Sequence, residues 1–449
     1  MTRAITRELA AYAVHSRYDA LPDAVRKEVA RTFLNWMGCV LGGCRDPAVE
    51  AADATIEEAG GKPQASVIGR GRRSDIASAA FINCLSSTVN SFDDTHLATV
   101  THPTGPVAAA LFAYTENHVV PGEEFVNALA LGIEIECRLS NVLLMPPAKA
   151  NLGLFITGIT GPIGAAAALG RLMRLDEERM RWAIGLAATQ AAGLRATHGA
   201  MSAFFVPAHA ARTGVWGTML AQKGFTSMDN MLEGSKGFVE IFTSGANLDL
   251  AVDGLGKHFE LQANAYKPYP CGIVIQPVID ACLEIVQQLP KQGALARVQL
   301  RVHPLALDLT GRRHPKSPVE AQISLFHWAA ACLVQGRAGL GQLHQQCIDN
   351  AEVVNLRTSI EAAGDPTLQR DEAIAEVTLG NGMVLRAHVA HARGSIERPM
   401  TDAELDAKFN AQATTVLPSG ASSKLLRLCR NVANLSSVGD EVASAWNAG

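Results

Sequence analysis

Acid–base side chains concentrate in one short segment, SFDDTHLATVTHPTG, at residues 91–105. It holds two adjacent carboxylates, Asp93 and Asp94, and two histidines, His96 and His102, among several threonines. Carboxylate and imidazole groups are the usual carriers of protons in catalysis, and loops often hold such residues. The alternative is a capped turn without chemistry, in which an aspartate begins the next helix and His102 packs before a proline. The segment by itself leaves both interpretations open.

A lysine stands at a break in the chain pattern, in KPYPCG at residues 267–272. Lys267 and Tyr269 would lie at a domain junction, where ligand sites are common. A lysine there could bind a carboxylate or, with a pKa lowered by burial, transfer protons. The alternative is a surface lysine on a linker stiffened by prolines. Arg195 and His198 form a further polar group beside an apolar stretch.

The motifs that would indicate a metal or a nucleophilic serine are missing from the sequence. It has no H-E-x-x-H, no C-x-x-C and no G-x-S-x-G, and GRGRRS at 69–74 lacks the third glycine of a phosphate-binding loop. We therefore predict no metal site. The nine cysteines are scattered, which favours buried, reduced thiols and a cytoplasmic protein.

Composition narrows the class of protein further. The chain has 449 residues, 48% of them hydrophobic and only 18% charged. A net charge of −4 offers no basic surface for nucleic acid or anionic membranes. No segment approaches the ~18 uninterrupted apolar residues of a membrane span, and the N-terminus lacks a secretion signal. We expect a soluble protein whose apolar excess fills large cores or an interface between subunits.

The elements that must position these residues are mostly helices. Apolar side chains recur at helical spacing in segments 23–41, 74–91, 123–139, 161–173 and 176–188, of which 161–173 is predicted to be a central helix. Beyond residue 267 the pattern becomes mixed. Residues 298–302 alternate like a strand, and 375–379 and 383–389 predict a hairpin around Gly380-Asn381-Gly382. Helices are expected near 273–288, 319–334 and 423–433, and Thr401 with Glu404 predicts a capping box.

Several longer segments, in this order, resemble the landmarks of the MmgE/PrpD family. They are FDDTHLATVTHPTGPVAAALFAYTE, GEEFVNALALGIEIECRL, GPIGAAAALGRLMRLD, HAARTGVWGTMLAQKGFTSMDNMLEGSKGF and KPYPCG. The resemblance implies a mainly α fold, with a large helical domain built from 1–266 and 395–449 and a smaller inserted α+β lid domain at 267–394. It also implies a homodimer, no organic cofactor and chemistry at a carbon next to a carboxylate.

The resemblance also suggests roles for single residues. Asp93, Asp94, Thr95, His102 and Lys267 match the family's motifs. We predict His102 as acid or base, Asp93 or Asp94 as its partner, and Lys267 as a clamp for the substrate carboxylate. The residues predicted to contact substrate are Thr95, His96, Tyr269, Arg195 and His198.

Four positions depart from the family pattern, and all of them lose charge. Ser91 replaces an aspartate, Ala203 a lysine, and Phe155 and Val206 histidines. A citrate-like substrate would then leave carboxylates unpaired in a closed site, which is costly. We therefore predict a lyase or isomerase of dehydratase type that acts on a small carboxylic acid other than 2-methylcitrate. The alternatives are an epimerase of a dicarboxylate and a non-catalytic binding or assembly protein with a decayed site.

Overall fold

The computed structural model describes residues 3–290 and 295–446. Residues 1–2, 291–294 and 447–449, which fall within the ranges of the two predicted domains, lie outside the described residues. The described chain is mainly α-helical, as the sequence predicts. The helices are α1 (Ile5–His15), α2 (Asp23–Gly43), α3 (Pro47–Ala59), α4 (Ile76–Thr88), α5 (Thr104–Thr115), α6 (Gly122–Leu144), α7 (Ile156–Leu172), α8 (Glu177–Ala188), α9 (Ser202–Gln222), α10 (Phe238–Phe242), α11 (Gln276–Gln288), α12 (Pro304–Thr310), α13 (Pro318–Ala321), α14 (Leu325–Gln335), α15 (Gln345–Ile348), α16 (Ala351–Ser359), α17 (Asp402–Ala413), α18 (Ser419–Arg430) and α19 (Val438–Ala443).

The strands form two short pairs and one mixed sheet. They are β1 (Ala65–Val67), β2 (Arg72–Ser74), β3 (Asp94–His96), β4 (Asn264–Tyr266), β5 (Leu295–Val302), β6 (Glu361–Gly364), β7 (Ala373–Leu379) and β8 (Val384–Val389). β1 pairs with β2 and β3 with β4, both antiparallel. The four-stranded sheet has the order β6-β5-β7-β8, in which only β5 and β6 are parallel. The predicted hairpin is confirmed as β7 and β8.

The largest core joins the two ends of the chain. It contains apolar side chains of α2, α4, α5 and α6 together with Phe409 and Ala413 of α17 and Leu425 and Cys429 of α18. α17 packs directly on α2. The C-terminal helices therefore share their core with the N-terminal ones.

Helix α7 is central, as its small residues predict, because α5, α6, α8 and α9 all pack against it. A Cβ atom on Gly164 would lie 2.6 Å from the carbonyl oxygen of Gly132 in α6. Backbones that approach this closely leave no room for a side chain. The glycines of α7 thus set the spacing of the helices that surround it.

A separate core lies under the mixed sheet. It contains Ile279 and Cys282 of α11, Trp328 of α14, and Val298 and Val377 of β5 and β7. All the buried side chains of this core belong to residues between 265 and 389. This part of the chain therefore has an apolar interior of its own.

Local signals set several helix ends. Asp176 caps α8 through the backbone N–H of Arg179, and Thr401 and Glu404 form the predicted capping box at α17. The prediction that a helix starts at Ser74 is wrong. Ser74 pairs with Ala65 in β2, and the Asp75 side chain caps α4 instead. Serine and aspartate can both cap a helix, and because Ser74 pairs in β2, the next residue, Asp75, is the one that caps α4.

The interior agrees with the prediction for the thiols. All nine cysteines are buried and none forms a disulfide. Among the described residues, the helices are too short or too polar to meet the requirements of a membrane span.

Candidate active site

The strand pair β3–β4 brings the two predicted chemical segments together. Asp94 pairs with Tyr266 and Thr95 with Ala265 in an antiparallel register. The residue before β3 therefore lies beside the residue after β4. Lys267 donates a hydrogen bond from Nζ to Oδ1 of Asp93 at 2.7 Å. Both side chains are buried, and Lys267 is only 1% exposed.

His102 lies against the same aspartate. Its Nδ1 is 3.0 Å from the carbonyl oxygen of Asp94 and 3.5 Å from Oδ2 of Asp93. A carbonyl oxygen only accepts, so Nδ1 carries the proton and Nε2 of the neutral ring keeps a free lone pair. Within residues 3–290 and 295–446, no side chain or backbone group hydrogen-bonds to Nε2. The backbone N–H of His102 donates to Oγ1 of Thr157 in α7, which fixes the turn.

Burial and charge set the protonation of this pair. Burial disfavours the charged form of Asp93, but His102 and Lys267 outweigh it and hold the pKa of Asp93 below its ordinary value. Burial lowers the pKa of His102, and the nearby Asp93 only partly opposes this. At neutral pH the site therefore has an ionised aspartate and a neutral imidazole, with Nζ of Lys267 hydrogen-bonded to the aspartate.

The side chain of Asp94 holds segment 91–105 in place through hydrogen bonds. Its Oδ2 accepts hydrogen bonds from Oγ1 of Thr104 and Nδ2 of Asn264, each at 2.6 Å. Burial raises the pKa of Asp94 to about 6, against the effect of the Thr104 hydrogen bond. Asp94 is not among the residues that line the adjoining cavity. Its contacts join β3 to the start of α5 and to β4.

A second buried lysine, which sequence reasoning missed, lies behind the site. Nζ of Lys408 in α17 donates to Oδ1 of Asn35 at 2.7 Å and to the carbonyl oxygens of Phe92 and Lys267 at 2.7 and 2.9 Å. Burial lowers its pKa to about 8. The two carbonyls belong to the residue before Asp93 and to Lys267 itself. Lys408 thus ties together the backbone on both sides of the ion pair.

The sequence does contain a signal for Lys408. It lies three residues after Leu405 and one before Phe409, on the face of α17 that packs inward. A lysine on the apolar stripe of a helix has to find acceptors inside the protein. That spacing could have identified it as a buried lysine, although not its partners.

A cavity opens in front of Asp93, His102 and Lys267. Its volume is about 100 Å³, well below the roughly 300–1,000 Å³ of sites for drug-sized ligands. The rest of the lining forms a mostly apolar wall that draws on both cores. Phe155, Ala203 and Phe204 belong to the helical core and Val319 packs against it, Ile273 and Val274 belong to the core under the mixed sheet and Leu309 packs against it, and Pro207 and Ile323 complete the wall. The cavity thus has room for a small ligand with an apolar part.

Two of the five residues predicted to contact substrate lie at or next to the cavity. His198 lines it, with its ring centroid 5.0 Å from that of Phe155, and burial lowers its pKa to about 4. Thr95 lies underneath His102, with Oγ1 3.1 Å from Nδ1.

The other three lie outside that lining. Arg195 borders a neighbouring opening and donates to the carbonyl oxygen of Leu154 at 3.1 Å. His96 hydrogen-bonds to Oγ1 of Thr99 and to Oε2 of Glu260. The Tyr269 hydroxyl donates to Oδ1 of Asp280 at 2.8 Å.

The four positions at which the resemblance implies a lost charge lie in or beside the site. Phe155 and Ala203 line the cavity, and Val206 is buried beside Gly158. Ser91 lines it too, and its hydroxyl donates to Oε1 of Gln322 at 2.8 Å. Three of the four positions therefore form the surface that a ligand would touch.

One group in the described chain has the geometry of a metal site. Ligand atoms of Asp371, His391 and Glu397 lie within 4.8 Å of one another. Nδ1 of His391 already contacts Asp371 at 2.9 Å, and Glu397 is exposed. None of the three lines the cavity. The group gives no reason to connect a metal with Asp93 and His102.

The described structure is that of a mainly helical protein with a buried ion pair and a neutral histidine facing a small, largely apolar cavity. Such a site can take a proton from a bound ligand and hold a carboxylate. The chain belongs to the MmgE/PrpD family. The family's N-terminal domain matches residues 7–251 and its C-terminal domain residues 269–433.

Three curated relatives of the chain have cis-aconitate decarboxylase in their names. The cis-aconitate decarboxylase-like protein oryM of Aspergillus oryzae is 24% identical over 97% of this chain and 95% of its own length. Cis-aconitate decarboxylase of Aspergillus terreus is 24% identical over 92% and 90%. The human cis-aconitate decarboxylase is 25% identical over 80% and 76%.

Proposed function

We propose that this protein is an enzyme, a lyase or isomerase, that removes a proton from the carbon next to the carboxylate of a small acid. The acid is less charged than citrate and is not 2-methylcitrate. The observation that carries the proposal is the contact of Asp93 with both His102 and Lys267 at the cavity wall. The names of the relatives support a carboxylic acid as the substrate.

The leading reaction is elimination of water. Nε2 of His102 takes the proton from the carbon next to the carboxylate, and the electron pair of that C–H bond forms a C=C bond. The C–O bond on the neighbouring carbon breaks, and the hydroxyl group leaves as water with the proton that His102 carried. Asp93 stabilises the imidazolium in between, and Lys267 holds the substrate carboxylate as negative charge develops on it.

We also propose the domain arrangement that this chemistry would use. Residues 1–266 and 395–449 form one helical domain, and 267–394 form the lid. The shared core of α2 with α17 and α18, and the separate core under the mixed sheet, support this division. Ligands often bind between domains, and the cavity wall draws residues from both cores.

Two other reactions have support from particular observations. Decarboxylation is supported by the names of the relatives, and it breaks a C–C bond where dehydration breaks a C–O bond. Epimerisation needs a second proton-transfer group, and His198 lines the same cavity as His102. A non-catalytic protein is favoured only by the four uncharged replacements.

We propose that the protein is a cytoplasmic homodimer. Phe205, Trp216 and Met219 of α9 are large apolar side chains that are 38–51% exposed. Their spacing of eleven and three residues puts them along one face of the helix. A second copy of the chain is the occupant that we expect on this face.

Turnover of a panel of mono-, di- and tricarboxylic acids, followed by NMR, tests the proposed function. Loss of water, loss of CO₂ and inversion without loss of mass distinguish the three reactions. For the acid that turns over, we expect His102→Ala and Lys267→Ala each to lower kcat/KM by about 10²-fold or more. The exposed His118 provides a control, and His118→Ala should leave the rate unchanged. Unchanged turnover in both site variants would refute the proposal.

A further inference from the structure

We infer that the substrate is a monocarboxylic acid with an apolar substituent, held with its carboxylate at Lys267 and its substituent against the apolar wall. The inference rests on the proposed function and names the substrate class of that site. It depends on three features of the described cavity: the balance of its charges, the hydrogen bonds that its polar side chains already make, and its apolar wall.

The charges in the described lining cancel. Asp93 and Lys267 are its only aspartate, glutamate, lysine or arginine side chains, and they form an ion pair. Burial lowers the pKa of His198 to about 4 and also lowers that of His102, so both rings are neutral at neutral pH. Lys267 can share its remaining N–H bonds with one carboxylate. A second or third carboxylate would be buried without a counter-charge.

Apart from the two histidines, the other polar side chains of the lining already have partners. Gln322 accepts from the Ser91 hydroxyl and donates from Nε2 to the carbonyl oxygen of Val89 at 2.6 Å. Thr310 and Thr88 donate to backbone carbonyls one turn earlier in their helices. Few hydrogen-bond donors therefore remain for additional carboxylate oxygens.

Two arginines next to the cavity also have hydrogen-bond or ion-pair partners. Arg195 donates to the carbonyl oxygen of Leu154, and Arg312 pairs with Glu320 at 3.0 Å. Both border the neighbouring opening and neither is in the lining around His102. Within the described lining, neither arginine is therefore present to pair with a second carboxylate.

The apolar wall provides the place for an apolar substituent. Phe155, Ala203 and Phe204 belong to the helical core, with Val319 packed against it, and Ile273 and Val274 belong to the core under the mixed sheet. Burying an alkyl or aryl group on such a surface is favourable, and burying a carboxylate there is not. The same wall that excludes charge thus selects for a hydrocarbon substituent.

Isothermal titration calorimetry on the full chain tests the inference with unreactive acids. The probes are 4-methylpentanoate, glutarate and propane-1,2,3-tricarboxylate. We expect 4-methylpentanoate to bind at least about 10-fold more tightly than the other two, and Val319→Asp to weaken only its binding. Ala203→Lys combined with Phe155→His should reverse the order. Ser202→Lys adds the same charge at the neighbouring exposed position and should leave all three affinities unchanged.

The outcomes separate this inference from the proposed function. Equal or tighter binding of the tricarboxylate, abolished by Lys267→Met, would overturn the monocarboxylate class and leave the site in place. Binding of every probe that Lys267→Met does not weaken would overturn the proposed site itself. No binding of 4-methylpentanoate, with clear binding of the tricarboxylate, also refutes the inference.

Discussion

Replacing Asp93 by asparagine removes the anion between Lys267 and His102 and keeps the size of the side chain. The imidazole Nδ1 of His102 lies 3.5 Å from Oδ2 of Asp93. Two unit charges about 4 Å apart interact by roughly 4 kcal/mol at an effective dielectric constant near 20. One pKa unit corresponds to about 1.4 kcal/mol. We therefore expect the pKa of His102 to fall by roughly 1–3 units in Asp93→Asn, because Lys267 remains and repels the imidazolium.

The sign of the change follows from the structure. Asp93 favours the charged form of His102, so its loss lowers a pKa that burial already holds below the ordinary value. The neutral ring is the base, so the acid limb of the pH–rate profile should move to lower pH by the same amount. The rate on the plateau should fall by about 10²–10⁴-fold, because the imidazolium formed by proton transfer loses its nearest anion and keeps only the Asp94 carbonyl.

An NMR titration of the imidazole ¹³C resonance of His102 measures this pKa without a substrate. Asp94→Asn is the matched control, because Asp94 contacts the ring only through its backbone carbonyl, which asparagine keeps. We expect the pKa of His102 to change less in Asp94→Asn than in Asp93→Asn. A pKa of His102 that stays the same or rises in Asp93→Asn would refute the electrostatic account of the site.

The same variant should be less stable. Lys267 is 1% exposed, and Asp93 is its carboxylate partner. Removing one member of a buried ion pair, so that the other stays buried without a partner, lowers the free energy of unfolding by about 3–5 kcal/mol. Urea denaturation at neutral pH should show this loss for Asp93→Asn, and Asp93→Asn combined with Lys267→Met should recover part of it. A double variant less stable than the single one would contradict the pairing.

Three further predictions concern residues around the site. Lys408→Met should lower kcat more than it raises KM, because the backbone carbonyls beside Asp93 lose their hydrogen-bond donor. Lys408→Arg should restore part of the rate. If Lys223→Met, at an exposed lysine, changed kcat and KM as much as Lys408→Met does, a positioning role for Lys408 would be contradicted. Gly158→Ala should destabilise the protein by at least about 2 kcal/mol in urea, since the new Cβ would lie 2.2 Å from the carbonyl oxygen of Ala192, and an unchanged midpoint would contradict the packing. Trp216→Glu should convert the dimer to a monomer in sedimentation velocity, whereas a wild-type protein that is already monomeric would refute the interface.

How much of this structure follows from the sequence depends on the range of the interactions. The helix cap at Asp176, the first residue of the predicted segment 176–188, and the Thr401–Glu404 box each act within one helical turn, and the structure confirms the segment and the predicted box. The β7–β8 hairpin likewise follows from its turn residues and alternation. Ser74 was assigned to a helix because its pairing with Ala65 is not visible in local propensity.

The site itself depends on contacts that no local pattern specifies. Asp93 and Lys267 are 174 residues apart and meet through β3 and β4, which are only three residues long. The family resemblance assigns both residues to one site, but neither the resemblance nor their spacing predicts that they form an ion pair. Tyr269 is predicted to contact substrate, but its hydroxyl donates a hydrogen bond to Asp280, eleven residues further along the chain. Local sequence could not predict that choice of partner.

The central claim is that His102 removes a proton from the carbon next to a carboxylate. Proton NMR in deuterated water tests it directly, with the wild-type protein and a carboxylic acid that binds. The account predicts that the signal of the hydrogen on that carbon disappears through deuterium incorporation or conversion, and that His102→Ala abolishes the loss while binding persists. Loss of the signal at an unchanged rate in His102→Ala, or no loss beyond the buffer rate with any acid that binds, would contradict it.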